Sequence, residues 1–255
     1  MKLYKQAVIV LAITLVAGII LVPADSNARS KGYGRNLEGR QQADSTIVTN
    51  LPMQNLSLEE DVGLTKMREE EKLARDVYQT LYDRWQLPIF ANIARSEQQH
   101  MDAVKALLDK YNRPDPVMDN TIGVFTDPEL QDLYTALVNQ GQKSLIEALE
   151  VGATIEDLDI KDLYDLLEQT DNRDIQTVYQ NLAKGSRNHL RAFTSQLLLG
   201  DVAYEAQFLT PEQISDIITA PKERGRVDEN GIQVGGSSRS GQKHRRSGSQ
   251  GSSRF

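Results

Sequence analysis

The sequence contains no cysteine. That excludes disulfides, thiolate metal sites, a cysteine nucleophile and lipid attachment through cysteine. Histidine is scarce, with three residues in 255. No convincing period-two alternation of apolar and polar residues occurs, so strands are not expected. A surplus of positive charge is also lacking. The net charge is -7, which argues against nucleic acid as a specific partner of the chain's body.

One long apolar run is present, and it stands at the start. Lys2 and Lys5 precede "AVIVLAITLVAGIILV" from Ala7 to Val22, and Ser26-Asn27-Ala28 offers small residues for cleavage after Ala28. Residues 1–28 therefore read as a signal peptide or, if uncleaved, an N-terminal anchor. The run is short for a span, which needs about 20 residues. Both readings place the rest outside the cytoplasm, periplasmic, secreted or membrane-anchored. Residues 29–55 lack lasting periodicity and read as a flexible linker. From about Pro221 to residue 255 the chain turns rich in Gly, Ser and Arg, a composition that cannot bury a core. This basic tail reads as a disordered solubiliser or as a weak contact to a polyanionic surface.

Between these ends the pattern is helical. A first long helix should start near Ser57, which has capping-box spacing to Glu60, and run to about Trp85. "QLPIFAN" should break it. A second runs from about Asn92 to Tyr111. After a non-helical stretch, Asp127-Pro128 opens a short helix ending near Gly141. A third long helix covers about Gln142 to Gln169, and a fourth about Asn172 to Leu199, ended by Gly200. A last short helix begins at Thr210-Pro211, within an extension over 201–220. The expected fold is all-α. Short connections make two antiparallel hairpins, and the long connection between the second and third long helices joins them as a crossover carrying the short helix, the ferritin-like form of a four-helix bundle over residues 56–200.

Rotating each helix by about 100° per residue finds polar residues inside the apolar stripes. Glu97 and His100 fall there on the second helix, Glu156 on the third, and Ser186 and His189 on the fourth. On the first, Glu70 and Glu71 flank the stripe centre. Glu147, Glu150 and Asp159 point away by the same rotation. Arg187 and Arg191 point outward too, with Arg75 the exception. Unpaired carboxylates in a low-dielectric core are strongly unfavourable. A metal cation supplies positive charge and accepts both oxygen and nitrogen donors.

At these residues the chain resembles the ferritin-like superfamily of rubrerythrin-type bundles. Those proteins take a Glu from each of two helices and a Glu-x-x-His from each of the other two. "SEQQH" at 96–100 matches one such motif. "REEEKLARDVY" at 68–78 is similar to the first-helix motif, in which a Glu precedes an Ala-Arg pair by three residues, and this selects Glu71 over Glu70. "EALEVGATIEDLDI" and "GSRNHLRAF" resemble an uncharacterised bacterial and archaeal ferritin-like family, domain of unknown function 2202. The fourth helix departs from the pattern, carrying Ser186 where a second Glu-x-x-His needs Glu.

The resemblance implies a metal set of Glu71, Glu97, His100, Glu156 and His189, binding one or two ions of iron or manganese. Glu97 and Glu156 would bridge or chelate, and His100 and His189 would cap. With iron, the implied chemistry is oxidase-like or peroxide-reducing. No residue is assigned a catalytic role of its own. Tyr78 and Tyr179 lie on core faces, as ordinary packing or as donors to a ligand carboxylate. The competing expectation is a metal-free exported structural or interaction module. A monomer and a homodimer paired through a spare apolar face both fit the pattern.

Overall fold

The computed structural model describes residues 50–234. The signal or anchor at 1–28, the linker up to residue 49, and the tail from 235, including His244, lie outside the described residues.

Six helices and one small hairpin make up the described chain, in the order α1 Leu58–Trp85, α2 Pro88–Lys110, α3 Pro128–Gly141, α4 Leu145–Leu167, α5 Arg173–Leu199, α6 Pro211–Thr219, β1 Arg226–Val227 and β2 Gln233–Val234. The described residues are all-α apart from that hairpin. Ser57 caps α1 in a complete capping box, accepting from the Glu60 N–H while Glu60 accepts from the Ser57 N–H. The break after α1 is only Gln86 and Leu87, shorter than "QLPIFAN" suggests. Gln86 takes a left-handed conformation at φ 52 and Pro88 opens α2 as its first residue. Proline is tolerated there because the first helical N–H has no partner within the helix in any case. The start of α4 is later than Gln142, because Gln142 still closes α3 and the extended Ser144 caps α4 by accepting from the Glu147 N–H. At the end of α5 the left-handed turn falls on Asp201, at φ 57, one residue beyond Gly200.

α1 packs on α2, and α4 on α5, as the two closest pairs. The pairs meet through α2 against α5 and α1 against α4, and α3 covers α1 and α4. Buried ion pairs pin the long connection before α3. Lys72 reaches the Thr121 and Val124 carbonyls and Asp76, Asp76 accepts from the Gly123 N–H, and Arg75 binds Asp76, Gln98 and Asn120. Arg75, the one inward cation expected from rotation, is thus committed to this belt.

The apolar interior divides into two clusters. One holds Ala74, Val77, Tyr78, Phe90, Ala94, Leu149, Ala153, Leu190 and Phe193. The other holds Leu64, Met67, Val104, Leu107, Leu163, Leu182 and Ala183. Along α1, α2 and α5 the sequence passes from one cluster to the other across a short polar interval, and on α4 Glu156 interrupts the first cluster between Ala153 and Ile160, which makes a buried polar layer across the four long helices.

The chain after α5 folds back over the α4–α5 pair. Asp157, fully buried, accepts from the N–H groups of Gln207, Phe208 and Leu209 and from the Tyr204 hydroxyl. Glu223 pairs with Arg187 and Arg191. Residues 221–234 were expected to begin a coreless tail. Instead Arg226 pairs with Val234 and Val227 with Gln233 in an antiparallel hairpin, held to α5 by Asn181. No helix among the described residues is long and apolar enough to cross a membrane.

Candidate metal centre

The polar layer contains all five residues expected as ligands. Glu71 comes from α1, Glu97 and His100 from α2, Glu156 from α4 and His189 from α5. Each is buried, from 2% exposed for the three carboxylates to 9% for the imidazoles. Helical spacing explains the pairing on α2: residues three apart lie on one face, so Glu97 and His100 arrive together, with His100 Nδ1 2.7 Å from Glu97 Oε2.

Two groups form around Glu97. Glu71, Glu97 and His100 make one, and Glu97, Glu156 and His189 the other; in each, the potential ligand atoms lie within 4.8 Å of one another and could hold a metal ion. Glu71 Oε2 is 3.2 Å from His100 Nδ1. His189 Nδ1 is 2.9 Å from Glu97 Oε1 and 3.4 Å from Glu156 Oε2. The two imidazoles stack, with ring centres 5.7 Å apart. Glu70 belongs to neither group and pairs with Lys66 on the bundle wall.

Hydrogen bonding leaves a gap at the centre. Glu71 Oε1, Glu97 Oε1 and His189 Nδ1 are buried without a hydrogen-bond partner among the described residues. Buried polar groups in folded proteins are almost always satisfied. His189 Nδ1 and Glu97 Oε1 are close enough to bond, yet their directions do not meet. Nitrogen and carboxylate donors together suit iron or manganese.

Electrostatics describe how the layer balances itself without an ion. Burial works against charge on both histidines, but Glu71 and Glu97 hold His100 well above its ordinary range. Glu97 and Glu156 carry His189 up to about 10. Burial lifts Glu71 to about 8, against the pull of His100. Burial opposes charge on Glu97 too, yet His189 and His100 hold it well below the carboxylate range. Burial, then Glu97, raises Glu156. Both imidazoles are thus shifted toward their protonated forms, and a metal ion bound here would compete with those protons.

Of the two tyrosines, Tyr78 reaches the site: its hydroxyl donates to Glu156 Oε1 at 2.6 Å. Tyr179 does not; its hydroxyl lies near Gly63 between α1 and α5. Two features escaped the helical rotation. Asp159, expected to point away, accepts from the Ser186 hydroxyl at 2.5 Å. Its bond to the buried Ser186 sets it beside the layer, and burial, then Glu71 and Glu156, pushes it well above the carboxylate range. Gly185 leaves the room that the His100 ring occupies, since a Cβ there would sit 2.5 Å from His100 Nε2. A glycine inside a long helix is the sequence signal that could have found it.

A family model described as an uncharacterized protein domain (DUF2202) matches residues 60–221. The uncharacterized protein MJ0754 of Methanocaldococcus jannaschii is 57% identical over 178 residues, spanning 70% of this chain and 96% of that protein. The crystal structure of hypothetical protein MJ0754 from Methanococcus jannaschii matches with a TM-score of 0.67 at 57% identity, covering 68% of this chain and 99% of that one.

Proposed function

The chain belongs to the DUF2202 domain family, and from that premise we propose that it is an exported, ferritin-like metal protein holding two iron or manganese ions in its polar layer. The observation that carries this reading is the sharing of Glu97 between two buried Glu/His groups with unpartnered ligand atoms. In the ferritin-like arrangement two hairpins joined by a crossover aim their ligands at one place, and the present helices have that order.

Glu71 and His100 would hold one ion, Glu156 and His189 the other, with Glu97 common to both. Bound iron would supply electrons to dioxygen or a peroxide. The protein's own part is to fix the ligands, to close them off from water between two apolar clusters, and to orient Glu156 through the Tyr78 hydroxyl. The apolar N-terminal run supports export.

The test is to load the full chain anaerobically with Fe(II), Mn(II) or Zn(II) and measure retained metal and melting temperature. Two ions per chain, with a raised melting temperature, is the expected result. No retained metal and an unchanged melting temperature for all three ions would overturn the reading. That outcome would select the second one, a metal-free exported structural or interaction module. The specific support for it is that His100 and His189 already lie within ion-pair distance of Glu71, Glu97 and Glu156.

A further inference from the structure

The two hairpins carry their polar residues in matching order, with one difference. In α1 and α2, Glu71 stands opposite His100 at 3.2 Å. In α4 and α5, Glu156 stands opposite His189 at 3.4 Å. Three residues beyond the first acid come Ala74 and Asp159. Three residues before the histidine come Glu97 and Ser186. Each hairpin thus has one acid and one small residue at this level, but on opposite helices: Ala74 with Glu97, and Asp159 with Ser186. The carboxylate that α5 lacks is present across the hairpin on α4.

We infer that Asp159 is a sixth protein ligand of this centre, delivered from α4 to the position that a glutamate at Ser186 would serve, with Ser186 as its positioning residue. This rests on the metal reading of the site. Charge balance favours it: four carboxylates and two neutral imidazoles neutralise two divalent cations, whereas three leave an excess charge in a layer closed by apolar packing. The local bonding permits it. Ser186 Oγ, 1% exposed as a residue, lies within bonding distance of Asp159 Oδ2 at 2.5 Å and of the Leu182 carbonyl at 3.0 Å. A hydroxyl has a single proton to donate. Asp159 can therefore turn toward an ion while Ser186 keeps Leu182 as its acceptor. The cluster it joins is short of hydrogen bonds, since Glu71 Oε1 accepts none among the described residues.

The experiment uses the full chain, Mn(II) alone, calorimetric titration and bound-metal analysis, on wild type, Asp159→Asn, and the double variant Asp159→Ala with Ser186→Glu. Wild type should bind two ions. Asp159→Asn should keep one and bind the second at least tenfold more weakly. The double variant, which returns the acid to α5, should recover the second. The metal-free Asp159→Asn protein should melt no lower than wild type, because a carboxylate crowded by three others has been removed. A structural partner of Ser186 would instead lower that temperature, and a lower value overturns the inference. So does a second ion bound as tightly by Asp159→Asn as by wild type, or one not recovered by the folded double variant. Wild type binding a single ion overturns this inference and leaves a metal site standing; wild type binding none sinks both.

Discussion

Glu97 contributes to both ligand groups, whereas Glu71 contributes to one. Glu97→Gln is therefore expected to abolish retention of both ions, and Glu71→Gln to leave one, as read by bound-metal analysis after desalting. Protonation gives a second expectation. His189 has a folded pKa of about 10 against an ordinary 6.5, so the folded metal-free protein holds this proton more tightly than the unfolded chain. The stability it contributes is present below pH 6.5 and is lost as pH rises toward 10. Glu71, at about 8 against 4.5, acts in the same direction over a lower window. Denaturant midpoints of metal-free protein should fall across this alkaline range, and Mn(II) should flatten the decline by replacing the protons. At this scale the gathering of Glu71, Glu97, His100, Glu156 and His189 into one candidate centre was legible, because a titratable residue at the middle of an apolar stripe is unusual in any helix. Asp159 was not. Three residues from Glu156 is about 60° off the stripe centre, and rotation of one helix alone cannot reveal a hydroxyl waiting on its neighbour.

Helix ends and close approaches set where these side chains meet. Gly185→Ala should gain roughly 1 kcal/mol of helix propensity, yet its Cβ would meet the His100 ring. The expected outcome is a metal-free melting temperature near wild type with loss of the ion held by Glu71 and His100. The crossover depends on a different kind of contact. Asp76, fully buried, binds Lys72, Arg75 and the Gly123 N–H. Asp76→Ala strands two buried cations and should cost about 3–5 kcal/mol in urea unfolding, with faster proteolytic nicking between residues 112 and 126. The helices themselves could be read from caps and periodicity: Ser57 with Glu60, and Asp127 with Pro128, mark true starts. Pro88 was misjudged because a proline reads equally as a breaker and as a first helical residue. The crossover's anchoring could not be read, since half of its partners are backbone carbonyl and N–H groups that no side-chain pattern announces.

The described chain is closed by residues 201–234, which fold back on α4 and α5. A chain ending at Gly200 would leave Asp157 without its three amide donors and the Tyr204 hydroxyl, and Arg187 and Arg191 without Glu223. Such a chain is expected to lose its cooperative thermal transition, checked by near-ultraviolet circular dichroism, while the full chain keeps it. Part of this closure has a signal in the sequence. Asn230-Gly231 is a hairpin-turn pair that the sequence reading passed over; Gly231 takes φ 74 there, between two strands of only two residues each. The position of Asp157 bears on the order of events during synthesis. Its partners at 204–209 and the acid at Glu223 are made after α4 and α5 are complete. Until then the helices carry an acid that no solvent-free interior would accept. The face of α4 around Asp157 is therefore covered only once nearly all of the described chain has been made.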